Sequence, residues 1–171
     1  MDVLIDRVKA QFGSVPFPFH RGLRAAVAMD DWISEPSELR RITAEQNVNG
    51  EWWEIPESEL ESISLAACYL DAAGTQFYLP TLLVAVLKGM KYAHYNALVT
   101  WLEPMKNEPD CALYDYFVER LSALTKGQKE VCVDVLRYVA SRADPNDPSI
   151  KVTIEELLTH EYWRERVVGT L

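Results

Sequence analysis

The chain has 171 residues, with seventeen Lys and Arg against twenty-six Asp and Glu, a formal net charge of −9. Apolar residues make up 49% and charged residues 25%, the balance of a single globular domain, which excludes wholesale disorder and needs neither a metal nor a disulfide staple. The acidic excess, with no Lys/Arg cluster beside the aromatics, ranks nucleic acid last among partners, and the longest apolar run, Tyr78 to Leu87, is broken by Pro80 and Thr81 and too short for a membrane span.

In chain order, Met1 to Arg7 lacks the basic start and long apolar stretch of a signal peptide, so residence in the cytoplasm is expected. Val3, Ile5, Val8 and Phe12 recur at near-helical spacing, predicting a short helix over 2–12 that Gly13 stops. The prolines of Ser14-Val15-Pro16-Phe17-Pro18-Phe19 predict an irregular loop laid over the core. Leu23 to Trp32 fits an Ala-rich helical turn and an extended stretch equally. Ser34 or Ser37 caps a helix through Leu39 and Ile42 to about Gln46, ended by Asn47-Val48-Asn49-Gly50. The next helix starts near Pro56, with a capping box at Ser58-Glu59-Leu60-Glu61, and runs to Leu70.

Asp71-Ala72-Ala73-Gly74 reads as a break, and Thr75 to Gly89, apolar nearly all round, as the most buried helix, with Pro80 marking its first turn or a kink. Helices follow at 96–102 and 112–124, the latter with Leu113, Tyr116, Phe117 and Leu121 on one side. Thr125-Lys126-Gly127-Gln128 is a second capping box, ahead of a stripe of Val131, Cys132, Val135, Leu136 and Val139. A connector at 144–148 leads to a last helix opening at Thr153 and bearing Leu157, Leu158 and Tyr162. The expected fold is therefore mainly α: a single-domain bundle of about six to eight helices with a long irregular N-terminal segment. Cys68, Cys111 and Cys132, odd in number and each among apolar neighbours, read as reduced core residues.

No catalytic residue, cofactor or metal is assigned. The seven glycines are scattered singly, so no phosphate-binding loop is legible, and Gly74 and Gly89 read as helix stops. His20, His94 and His160 have no second ligand at helical spacing. The Asp30-Asp31 pair matches the oxygen chemistry of magnesium, but adjacent acids are ordinarily just solvated. Tyr92-Ala93-His94-Tyr95 offers an acid and a base, although aromatic loop residues beside a helix end more often pack.

The charge layout is more informative. Eleven acids from Asp30 to Asp71 face only Arg40 and Arg41, so this segment carries the whole net charge of −9. A one-sided negative field repels anionic surfaces and speeds encounter with a basic protein. Three of the five tryptophans, Trp32, Trp52 and Trp53, lie inside it, and tryptophan serves both as a partner anchor and as a pin onto its own core. Alternation along an extended stretch would bury one of Trp52 and Trp53 and expose the other. The candidate partner-binding set is Asp30, Asp31, Trp32, Glu35, Glu51, Trp52, Trp53, Glu54, Glu57 and Glu59.

Trp52-Trp53-Glu54-Ile55-Pro56, the run Leu70-Asp71-Ala72-Ala73-Gly74-Thr75-Gln76-Phe77-Tyr78-Leu79-Pro80, and Leu124-Thr125-Lys126-Gly127-Gln128 with Val131 behind it resemble the W-x-x-I-P, F-L-x-x-x-G-x-x-F-Y-L-P and L-T-x-x-Q-x-x-x-V signatures of an uncharacterised bacterial domain family. The resemblance covers most of the chain and implies a small stand-alone bacterial protein, with no catalytic residue to carry over. Three readings follow. The leading one is a small acidic protein that neutralises a basic partner, such as an immunity protein occluding a toxin, as a monomer or weak homodimer. The alternatives are a hydrolase or transferase built from His94, Tyr95 and acids near Asp30, and a regulatory adaptor that self-associates through Tyr162 and Trp163.

Overall fold

Helices are the only regular elements among the described residues of this computed structural model, which are 1–45, 50–66, 69–89, 92–104, 112–145 and 148–164, with backbone alone at 64, 65, 92, 93, 112 and 113. In chain order they are α1 (Asp2–Phe12), α2 (Leu23–Asp30), α3 (Pro36–Glu45), 3-10 turns at Trp52–Glu54 and Glu57–Glu59, α4 (Leu60–Ala66), α5 (Ala72–Leu87), α6 (Tyr92–Leu102), α7 (Ala112–Arg120), α8 (Lys126–Arg142), α9 (Ser149–Thr159) and α10 (Glu161–Arg164). The mainly α architecture is as expected. The described helices number ten because short pieces such as α2 and α10 carry too few turns for periodicity to separate them from loops. The irregular N-terminal segment shrinks to residues 13–22.

Helix α5 is the hub. It packs against α1, α4, α6, α7, α8 and the Trp52–Glu54 turn, while α9 and α10 close the domain beside α6 and α8, and α2 sits between α3 and α4. A single hydrophobic cluster runs from Val8 to Trp163 and includes every residue of the α8 stripe. Cys132 lies in that stripe, fully buried and unpaired, and burial pushes its thiol up to about 12; Cys68 and Cys111 lie outside the described residues.

Helix α5 starts earlier than its apolar run. Asp71 caps it, its carboxylate accepting the Gly74 amide at 2.8 Å, so Gly74 lies in the first turn and is no helix stop. A Cβ there would lie 2.8 Å from the end of the Leu70 side chain and 3.3 Å from the Arg21 carbonyl, a close approach that glycine allows without displacing either. Gly89, at φ +78°, does end α5 in the left-handed conformation that glycine favours. Pro80 falls mid-helix.

Other boundaries shift for local reasons. Pro36 takes the first position of α3 and the Glu35 carbonyl accepts its first amides, so neither Ser34 nor Ser37 caps it. The expected Ser58 box is a 3-10 turn. Tyr92 to Tyr95 belong to α6 instead of a loop, and α9 opens at Ser149, with Tyr162 on the separate α10. The expected ends at Gln46 and Asn47 to Asn49 lie outside the described residues.

The Thr125 box does form, and its glutamine does more than cap. Gln128 Oε1 accepts the Thr125 amide at 2.9 Å and Gln76 Nε2 of α5 at 2.9 Å, while Gln128 Nε2 donates to the Gln11 carbonyl of α1 at 2.9 Å. One buried side chain thus ties α1, α5 and α8. Beside it Trp52 Nε1 donates to the Phe12 carbonyl at 3.0 Å, and Thr81 Oγ1 of α5 donates to the Trp52 carbonyl at 3.0 Å. Tyr78, edge-on to Phe77, accepts the Leu23 amide at 3.0 Å and starts α2.

Gln128→Leu removes the partners of the part-buried Thr125 amide and Gln11 carbonyl and is expected to lower unfolding free energy by about 1 to 3 kcal/mol, read from urea titration. Burial raises the Tyr78 hydroxyl from 10.0 to about 12. Its contribution to stability is complete below pH 10 and fades as pH rises to about 12. Tyr78→Phe should therefore lose stability at neutral pH, yet show a shallower decline than the parent across that alkaline window.

Candidate functional site

The acidic segment divides into two groups at opposite ends of the α2–α4 pair. At the amino end Arg24 Nη2 pairs with Glu59 at 2.9 Å, and at the carboxyl end Tyr69 donates its hydroxyl proton to Asp30 at 2.8 Å. Arg24 and Asp30 are six residues apart, roughly 9 Å along a helix. The negative charge is thus two patches.

The carboxyl-end patch carries the most unusual backbone geometry among the described residues. Helix α2 closes with the Trp32 amide donating to the Met29 carbonyl at 3.1 Å and the Ile33 amide to the Ala28 carbonyl at 3.1 Å, the paired bonds of a Schellman cap. That cap needs a left-handed residue, ordinarily glycine. Here it is Trp32, at φ +65°, the one positive-φ non-glycine residue among those described. A bulky side chain in this region is strained by about 1 to 2 kcal/mol. Its ring recovers nothing from the core, being 93% exposed. Asp30 and Asp31 also sit at the negative end of the α2 dipole, where acids are disfavoured. Asp31 and Glu35 are exposed and have no ion-pair partner among the described residues; Glu35 only accepts the Ser37 hydroxyl at 3.2 Å. On the adjoining α3, Glu38 and Glu45 are taken up by Arg41, whose hydrogen bond holds the Glu38 carboxyl below its usual range and whose own pKa rises in return.

The second patch is mostly structural. Trp52, 1% exposed, is a core pin and is corrected out of the partner-binding set, whereas Trp53, packed edge-on to it at 5.4 Å, is 46% exposed. The alternation holds although the backbone is a 3-10 turn, not a strand. Glu51 and Glu54 form that turn's capping box, Glu54 accepting the Glu51 amide at 3.0 Å. Glu59 is consumed by Arg24, and Glu57 is exposed.

A cleft of about 300 Å³ opens beside Trp53, between α1, the 52–60 segment and α5, with Lys9 and Lys88 in its walls. A wider one of about 620 Å³, lined by Arg137, Lys151 and Glu155, separates the end of α8 from α9. Neither includes His94, Tyr95 or Asp30, so the convergence that an enzyme built from these residues requires is not supplied by either cleft. The Tyr162-Trp163 patch does not exist: Trp163 is fully buried, its Nε1 donating to the Leu102 carbonyl at 2.9 Å, and Tyr162 lies edge-on to Phe117. Among the described residues no helix is long and apolar enough to cross a membrane.

The sequence profile of a family of unknown function, DUF6714, matches residues 1–167. The chain belongs to DUF6714. No curated protein and no solved structure matches it. Within this DUF6714 chain the three motif segments are frame: Trp52, Gln76 to Tyr78 and Gln128 meet around the carboxyl end of α1 and the flank of α5. Sequence reasoning missed the cleft lysines, and also Arg120 and Lys129, two buried cations set 5.9 Å from the ring centre of Tyr116 and 5.3 Å from that of Tyr162. Their burial is set by contacts distant in the chain, Arg120 donating to the Trp101 carbonyl at 2.8 Å and Lys129 lying over Tyr162, although the Tyr116–Arg120 pair is itself at i,i+4 spacing on α7.

If Trp32 is retained for something other than folding, Trp32→Gly should leave the unfolding free energy unchanged or raise it by up to about 1 kcal/mol, whereas Trp52→Phe should lower it by about 1 to 3 kcal/mol by orphaning the Phe12 carbonyl. Matched urea titrations check both, and a Trp32→Gly loss as large as that of Trp52→Phe would assign Trp32 to the fold.

Proposed function

We propose that this chain is a small acidic binding protein that neutralises a basic protein partner, with a bacterial immunity protein that occludes its cognate toxin as the best-fitting instance. The observation that carries this reading is Trp32: an almost fully exposed indole on a strained left-handed backbone, flanked by Asp30, Asp31 and Glu35. Places where a chain breaks local rules without gain to its own packing are where function is expected. A rigid aromatic ringed by acids suits a pocket rimmed by Arg and Lys, which meet the indole face as well as the carboxylates. The uncompensated segment charge adds long-range steering toward such a partner. Trp53, Glu57 and the exposed faces of Glu51 and Glu54 form a second, separate contact zone for a partner large enough to span both. A protein of this kind would act in the cytoplasm, as a monomer or weak homodimer.

The test is affinity capture from the native host at low and moderate salt, with identification of what co-purifies. The expected result is one stoichiometric basic protein whose recovery falls as salt rises. The Asp31→Lys/Glu35→Lys double variant should slow its association, and Trp32→Gly should weaken binding by at least about thirtyfold, the scale of an interface hot spot. Absence of any stoichiometric basic partner, or capture that survives all three substitutions, would overturn the proposal.

A further inference from the structure

We infer that the cleft between α1, the 52–60 segment and α5 binds a small organic monoanion, a carboxylate with an apolar acyl or aryl body. Its interior is apolar, made by Ile5 of α1, Ile55 and Leu60 of the connecting segment, and Val84 and Ala85 of α5, with the half-exposed Trp53 ring at its side. At about 300 Å³ it is at the lower end of ligand pockets, sized for a small body and not for a nucleotide. The wall is held rigid, since the neighbouring Trp52 is fixed at both ends of its residue, indole to the Phe12 carbonyl and carbonyl from Thr81. Trp53 packs edge-on against this fixed ring at 5.4 Å, which reduces the ordering penalty on association.

The charges at this cleft run against those of the chain. In a protein with nine more acids than bases, Lys9 and Lys88 are both exposed and have no ion-pair partner among the described residues. They approach the same apolar space from α1 and from the carboxyl end of α5. Glu57 is the one carboxylate in the lining, and it pairs with neither lysine. Two cations and one anion leave a local charge of +1, which a single carboxylate neutralises. An apolar body against Trp53, Leu60 and Val84, with its carboxylate between the lysines, satisfies both features at once. This site shares only Trp53 and Glu57 with the proposed partner surface, and its occupancy requires neither Trp32 nor the acids around it.

Octanoate and 3-phenylpropanoate serve as acyl and aryl probes, with octylamine as the cationic counterpart, titrated against the full chain while tryptophan fluorescence and amide shifts are followed. Saturable binding of at least one carboxylate is expected, at about 10 μM to 1 mM for a ligand this small, and the tighter probe identifies the body the cleft prefers. Lys9→Glu and Lys88→Glu should each weaken it about tenfold or more, with amide shifts confined to α1, residues 52–60 and the end of α5, and Trp53→Ala should weaken it further. Non-saturable titrations, equal binding of octylamine, or affinity unchanged in both lysine variants would overturn the inference. Capture of a basic protein partner should be unaffected by Lys9→Glu, so failure here and failure of the proposed function are separable.

Discussion

Helices that end against other elements leave carbonyls without an intrahelical partner, and the arrangement of this domain follows from how those carbonyls are satisfied. At the end of α1, Gln11 and Phe12 receive the Gln128 amide and the Trp52 indole. After α4, Tyr69 and Leu70 receive Arg21 and the Tyr116 hydroxyl. At the end of α6, Trp101 and Leu102 receive Arg120 and the Trp163 indole. Every donor comes from a distant element, so each bond fixes the position of one helix against another while the apolar cluster supplies the drive to collapse. Large amphipathic side chains do this well because an indole or phenol fills core volume and delivers one directed proton.

The α2 end follows the opposite rule. It faces solvent and its last carbonyls are met by backbone amides, while Tyr69 reaches only the Asp30 carboxylate; its turn is completed by a left-handed tryptophan. Acids crowd the negative pole of its dipole where other surface helices would carry Lys or Arg. The frame does not depend on this corner, since the Trp32 ring packs on nothing. Frame and candidate recognition surface are therefore carried by different tryptophans: Trp52, Trp101 and Trp163 are buried, and Trp32 is displayed.

What the sequence revealed was whatever is encoded locally. The Thr125–Gln128 box, the α8 stripe and the Gly89 stop all rest on spacing within a few residues, and all are present. Gly74 was misread as a stop because its role is a close approach of Leu70 and the Arg21 backbone, which spacing does not encode. Helix α2 stays ambiguous because eight Ala-rich residues carry little period, and Tyr92 to Tyr95 read as loop because aromatic residues at a helix start carry no local capping signal. For the candidate site, charge counting found the acidic segment and its tryptophans. Which tryptophan is displayed, which acids are already paired, and the existence of the lysine-walled cleft are tertiary facts that required the fold.

The central claim is that Trp32 is displayed for a partner, and fluorine NMR of the chain labelled with 5-fluorotryptophan tests it most directly. The resonance that disappears in Trp32→Phe identifies Trp32, and adding the captured basic protein should shift or broaden that line while those of the buried Trp52, Trp101 and Trp163 stay in place. A Trp32 line unchanged at saturating partner would contradict the claim, whatever the other tryptophans do.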